Sequence, residues 1–288
     1  MISLAGIRRN VEFSPNHRGN DNAIYLLTAE KLEALGCHVV HYTEDEILNA
    51  ADIKEDAVFT MARSKKVVRR LQQWEQEGKI VVNSAIGIEQ CYRTNMTNRL
   101  VEQNVPYPKS VIVSTENPTE QTFKVLADAN FWIKRGDFHA IHKEDVTFVK
   151  SIEEGIEMLE EYALRGIEEA VISIHLPGDL VKFYGVAGTD FFYWFYPNEA
   201  HHSKFNNELV NGKTKKYFFD PDMLRSFSQD AADALMVDIY GGDAVISPHG
   251  DIHIIDLNDW PSFAPCREEA AHHIAQRIYQ KVFAIHGE

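Results

Sequence analysis

An α/β fold is predicted by three features of the 288-residue chain. Over about the first 90 residues, short apolar strand patterns alternate with helical ones, which implies βαβ units and a mainly parallel sheet. After Pro177-Gly178-Asp179 the pattern turns β-rich and closes on a hairpin around Ser247-Pro248-His249-Gly250-Asp251. A final helix then carries an apolar residue every four positions, at Ala270, Ile274, Ile278 and Val282.

The first strand is expected over residues 2–8. A polar loop from Ser14 to Asp21 leads into a helix over 22–35, which Gly36 stops. Further strands fall at 38–42, 57–61 and 80–83, with a charged helix over 66–77. A helix over 87–103 follows and ends before Pro106 and Pro108. A strand is expected at 111–114 and a helix at 119–128. Strands 131–134 and 146–149 bracket a loop, and a helix over 152–164 and a strand over 170–176 come next. The β-rich part has strands at 180–186, 191–196 and 216–219. A helix over 222–237 then precedes the hairpin strands 243–246 and 252–257, and the last helix spans 267–285.

Composition narrows the function classes. The chain is 44% hydrophobic and 25% charged, as ordinary globular proteins are. No stretch approaches the ~18 uncharged apolar residues of a membrane helix. The N-terminus lacks a basic segment followed by a long apolar run, so no secretory leader and a cytoplasmic location are expected. Cys37, Cys91 and Cys266 are far apart with no CxxC, which fits free thiols in a reducing compartment. A net charge of -14 opposes nonspecific nucleic-acid binding, which needs a basic footprint. The pairs His201-His202 and His272-His273 lack zinc-ligand spacing. The basic run Arg63, Lys65, Lys66, Arg69 and Arg70 is either a solvated helix face or a contact for an anionic substrate.

The chemistry concentrates on the hairpin. Asp243 begins one strand, and Asp256 and Asn258 sit two apart on the returning strand, so both point to one face. Two carboxylates and an amide oxygen make a hard oxygen set that suits Mg²⁺, which takes a few protein oxygens plus water and phosphate. Lys134 ends the strand Phe131-Trp132-Ile133-Lys134 beside a loop, where its ammonium can meet phosphates as a point charge. Lys182 interrupts Leu180-Val181-Lys182-Phe183-Tyr184, and alternation places it on the face of Leu180 and Tyr184. Taken singly, each of these is equally an ordinary strand polar residue; their order along the chain is the signal.

In that order and spacing the sequence resembles the ATP-grasp superfamily over essentially its whole length. The resemblance implies a Rossmann-like pre-ATP-grasp domain over residues 1–90 and two α+β lobes gripping ATP, one over 91–176 and one with the metal site over 177–288. It implies that Arg93, where the family usually has lysine, and Lys134 contact nucleotide phosphate. Residues 170–176, with Ser173 and His175, resemble the hinge strand that holds adenine. Asp179 is the implied ribose contact, and Asp243, Asp256 and Asn258 are the implied ligands of Mg²⁺, or of Mn²⁺ in its place. A small-molecule acceptor is the implied partner, with no nucleic acid and no membrane; nothing sets the oligomeric state.

Several positions depart from the family pattern. The loop from Arg135 to His142 is poorer in glycine than the usual phosphate loop. Ser173 stands where many members have an acidic residue, Asp256 where most ligases have glutamate, and Gly241 where some peptide-forming members have arginine. Two reaction classes stay open, beside a nucleotide-binding module without turnover. Glutathione-synthetase-like ligases would phosphorylate a carboxylate and let an amine displace the phosphate, with Lys182 assisting. The Asp-x-Asn form, the strand around Lys182, His139 and His175 resemble inositol trisphosphate kinases, with His139 in a catalytic role. In either class the loop after the first strand is the expected acceptor side, with Arg8, Arg9, His17 and Arg18 as candidate contacts.

Overall fold

The computed structural model describes residues 1–13, 18–124, 126, 130–197, 210 and 212–286. His17 and the Arg18 side chain lie outside the described residues, so two of the acceptor contacts expected from sequence are not placed. The described residues form three four-stranded sheets.

The N-terminal unit is built from β1 (Ser3–Ile7), α1 (Arg18–Ala34), β2 (His38–Tyr42), α2 (Glu44–Asn49), β3 (Ala57–Thr60), α3 (Lys65–Gln76) and β4 (Ile80–Val82). Its strands run in the order β2-β1-β3-β4 and are all parallel, as the alternating pattern predicts. The short α2 is absent from the sequence expectation, yet it has a complete capping box. Thr43 accepts from the Glu46 amide, and the Glu46 carboxylate accepts from the Thr43 amide. Next to it Glu44 is buried, and its carboxylate accepts backbone N–H bonds from Asn10, Arg63 and Ser64. It thereby ties together the loops that follow β1 and β3.

The expected helix over 87–103 is two helices, α4 (Ala85–Gln90) and α5 (Arg93–Glu102), broken at Cys91 and Tyr92. The second sheet comprises β5 (Ser110–Ser114), β6 (Phe131–Arg135), β7 (Val146–Val149) and β8 (Glu169–Ile174), in the antiparallel order β5-β8-β6-β7. Phe131, Ile133, Ala170 and Ile172 point to one face, onto α6 (Glu120–Phe123) and α7 (Ile152–Leu164). Trp132, Lys134 and Ser173 point to the other.

The third sheet comprises β9 (Asp179–Val186), β10 (Phe192–Phe195), β11 (Ile239–Ile246) and β12 (Ile252–Asp259), in the antiparallel order β10-β9-β11-β12. Residues 216–219 are not a strand, contrary to expectation, and Lys216 has φ of 56°, outside extended backbone. They lead instead into α8 (Pro221–Ala234), capped by Asp220 with proline at its start.

Two helices pack away from their sequence neighbours. Met96 and Leu100 of α5 belong to the core under the third sheet, with Leu224 of α8 and Leu257 of β12. The last helix, α9 (Arg267–His286), buries its whole predicted stripe against α1 and the first sheet, beside Leu4, Ile24 and Phe59. Each isoleucine so buried stabilises the fold by roughly 1.5–3 kcal/mol. The C-terminal helix thus completes the N-terminal core. No described helix is long and apolar enough to cross a membrane.

Candidate active site

The polar residues singled out from sequence converge between the second and third sheets. In the third sheet Lys182, Asp243 and Asp256 are directly paired across β9, β11 and β12, so their side chains share a face. Asn258 pairs with Gly241 on that same face. A β-bulge at Ile255 makes this possible. Asp243 faces Asp256, but Ala244 faces Ile254, so one extra residue is inserted in β12. Without it Asp256 would share the face of Ile254, which is buried in the core.

The bulge also frees a carbonyl. The oxygen of Ile255 accepts from Lys134 Nζ at 3.1 Å, across from the second sheet. Lys134 is buried; that burial, and then the Arg93 charge, push its ammonium down to about 7 against the pull of Asp256 and Asp243. Arg93 rises from the start of α5 and grips Asp256 in a fork. Its Nη1 donates to Oδ1 at 2.8 Å and its Nη2 to Oδ2 at 3.3 Å. Burial alone would raise Asp256, but Arg93 and then Lys134 outweigh it and hold the carboxyl at about 2. Lys182 Nζ donates to Asp243 Oδ1 at 2.9 Å. The result is one compact set of three cations and two carboxylates, with the Asn258 amide beside it.

This donor set fits a hard divalent cation. Among the described residues no group of three His, Cys, Asp or Glu side chains stands together, and the Asn258 amide could supply a third oxygen beside Asp243 and Asp256. Each carboxylate is already matched by a cation, so a metal entering here would take the carboxylate and release the cation for phosphate.

The opposite wall is aromatic. Trp132 Nε1 donates to His175 Nδ1 at 3.2 Å, and Phe148 lies 5.0 Å from the His175 ring and 5.2 Å from Trp132. Ser173 sits under this cluster, its hydroxyl accepting from Ser110 Oγ at 2.8 Å. Asp179, expected at a ribose, is engaged with backbone amides. It is buried, and its two oxygens accept the backbone N–H groups of Lys215 at 2.7 Å and Tyr217 at 2.9 Å. It anchors the segment before α8.

The loop between β6 and β7 spans the cleft. Gly136 has to be glycine, because a Cβ there would lie 2.6 Å from Thr94 Oγ1 and 2.7 Å from the Glu169 oxygen. Phe138 packs against Phe13 and Tyr92, and Asp137 pairs with Lys65 at 3.2 Å. His139 is buried with Nε2 3.2 Å from Asp259 Oδ1. Burial, and then Arg63, lower its imidazole to about 4 against the opposing pull of Asp259, so it is neutral at pH 7.

The expected acceptor cations divide. Arg9 is held on three sides: Nη1 meets Asp21 at 3.1 Å, Nε the Met61 oxygen and Nη2 the Trp260 oxygen. It joins the first sheet to the end of β12. Arg8 lies over the Tyr25 ring. The basic run also divides. Lys66 and Arg69 are exposed, whereas Arg63 is buried and reaches Asp259 at 3.4 Å. Tyr92 and Asp259, which the sequence did not single out, lie together with Arg63 and His139. The one signal available was the position of Asp259, directly after the Asp-x-Asn motif.

No family model and no curated protein matches the chain. Solved structures do. The D-alanine–D-alanine ligase from Bacillus anthracis has TM-score 0.68 at 12% identity, covering 100% of this chain and 99% of that one. The D-alanyl-alanine synthetase A from Vibrio cholerae has TM-score 0.69 at 11% identity, with 98% of each chain covered. An ATP-grasp RimK domain protein from Sphaerobacter thermophilus has TM-score 0.67 at 15% identity, covering 96% and 99%. The chain has the ATP-grasp fold.

Proposed function

We propose that the protein is an ATP-dependent, ADP-forming enzyme, a carboxylate–amine ligase that works through an acyl phosphate. The observation that carries this reading is the meeting of Lys134 and Arg93 with Asp243, Asp256 and Lys182 in one cleft, in the fold shared with ligases and synthetases. A further structure of the Bacillus anthracis ligase with this fold is complexed with ATP. Adenine would lie along Trp132, Phe148 and His175, with the phosphates toward Lys134. Asp243, Asp256 and Asn258 would hold Mg²⁺, which neutralises charge on the outer phosphates when bound. Lys134, Arg93 and Lys182 would hold the transferred group's oxygens, where charge develops as the γ-phosphoryl moves to the acceptor carboxylate. Residues 1–90 would supply acceptor specificity and residues 91–288 the nucleotide grip, with α9 serving the N-terminal core.

Hydroxylamine distinguishes this chemistry. With MgATP and a panel of small carboxylic acids, a ligase yields hydroxamate. Transfer of label from ATP to a polyol phosphate, without hydroxamate, would replace the ligase by a kinase. The committed side chains Arg9 and Lys65 leave a kinase fewer cations for a polyphosphate acceptor.

Lys134 gives an independent test of the nucleotide site. Its pKa of about 7 in the free protein should rise when phosphate oxygens surround it. Nucleotide binding at pH 8 should therefore take up close to one proton, and affinity should fall as pH rises above 7. Calorimetric titration in two buffers of different ionisation heat measures the uptake; an uptake of zero would remove Lys134 from the phosphates.

A further inference from the structure

The second sheet ends at β7, whose only strand partner is β6. Among the described residues the backbone of Thr147, Phe148 and Val149 makes no hydrogen bond beyond β6, so the outward N–H and C=O groups of this edge are open. Beside the edge runs a cleft of about 440 Å³, walled on its far side by α7. Phe148 and Met158, both half-buried, give the cleft apolar surface.

The α7 wall is acidic. Glu154, Glu157 and Glu161 recur at i, i+3 and i+7, which puts them along one helix face, and all three line the cleft and are exposed. Glu154 accepts the Lys150 amide at 2.7 Å. Among the described residues none of the three carboxylates is in an ion pair, with Lys150 or any other cation. Lys150 is the one cation of the lining, so three carboxylates stand against one ammonium. An acidic helix face alone is an ordinary solvated surface. This one faces an open strand edge across a cleft, and the two walls ask for different things from the same occupant.

The edge calls for a strand, which pairs through main-chain hydrogen bonds. The carboxylates call for cations. Side chains on one face of a strand recur every ~6.6 Å, and the three glutamates span roughly 10 Å along α7. Two successive same-face lysine or arginine side chains therefore fit within the carboxylate row. A second copy of this chain does not meet the charge requirement. Setting β7 against β7 would bring two glutamate rows together on molecules that each carry a net charge of -14.

We propose that the β7–α7 cleft docks an extended basic peptide segment of a partner protein, with lysine or arginine at alternate positions, which adds to the sheet beyond β7. The inference is independent of the nucleotide reading above.

The full-length protein is titrated with a fluorescently labelled hexapeptide of alternating lysine and valine. Three probes are compared with it: the same peptide with proline at every valine, which removes those N–H donors; a hexapeptide of alternating glutamate and valine; and spermine. The lysine–valine peptide is expected to bind at least about tenfold more tightly than each of the three. Its binding should slow amide hydrogen exchange at Thr147, Phe148 and Val149, and should weaken as salt is added. The Glu157→Gln, Glu161→Gln double variant should bind it about tenfold less tightly. Both side chains are exposed and outside any ion pair, so the variant should keep its Tm. Equal binding of spermine or of the proline peptide would make the cleft a simple cation site and overturn strand addition. Absence of peptide binding, or binding unchanged in the double variant, overturns the proposal outright. A dimer that the peptide dissociates would make the occupant a second copy and overturn it as well.

Discussion

Asp256→Ala is expected to lower ATP-dependent turnover by roughly 10²–10³-fold or more, and to destabilise the fold at the same time. The two losses have different causes. Turnover falls because a ligand of the expected metal is gone. Stability falls because Arg93, 5% exposed at its side chain, loses both hydrogen bonds to Asp256 and becomes an unpaired buried charge. Breaking such a pair costs about 3–5 kcal/mol, whereas replacing both partners is often neutral. The Arg93→Met, Asp256→Ala double variant should therefore regain most of the stability and none of the activity. Urea unfolding and ADP release, measured on the two single variants and the double one, separate the effects. A double variant as unstable as the sum of the singles would contradict the pairing, and an Asp256→Ala protein with near-normal ADP release would remove Asp256 from the metal site.

Gly242→Ala should cost about 3 kcal/mol or more, for a steric reason. Gly242 faces the core beside the bulge. A Cβ there would lie 2.2 Å from the Asp256 carbonyl oxygen and 2.6 Å from Phe183 Cζ. The oxygen belongs to the neighbouring strand and can retreat only if β12 shifts, which moves Asp256 and Asn258 with it. Gly19→Ala makes the control. Gly19 is in α1 with open space around its Cβ position, so the substitution should stabilise by roughly 0.5–1 kcal/mol. Thermal unfolding of both variants gives opposite shifts if the packing is as described; a Gly242→Ala protein as stable as the parent would mean that β12 tolerates the displacement.

The parallel N-terminal sheet was legible because its strands and helices differ in period, and each element there has its own apolar face. The stripe Ala270, Ile274, Ile278 and Val282 was legible for the same reason. Its partner was not, since a stripe says that a face is buried and not against what. Residues 216–219 look like a strand because Tyr217, Phe218 and Phe219 favour extended backbone. They do not pair in a sheet; Asp179 instead binds the amides of Lys215 and Tyr217 and fixes the segment as an irregular run. The break at Cys91 and Tyr92 carries no proline or glycine, and so no local signal.

By itself the sequence determined that Asp256 and Asn258 share a face, that Lys134 lies in the last turn of alternation of a strand, and that Lys182 alternates out of an apolar run, because strand periodicity is a local property. Only the tertiary structure decided which of these meet. The bulge at Ile255 keeps Asp256 toward the cleft and offers a carbonyl to Lys134, and Arg93 closes on Asp256 from a helix 163 residues away in sequence. It also gave Arg9 and Asp179 partners within the fold and set Arg63 beside Asp259. A charged side chain's role depends on which opposite charge or amide lies within about 3 Å once the chain is packed, and that distance is set between segments, not along them.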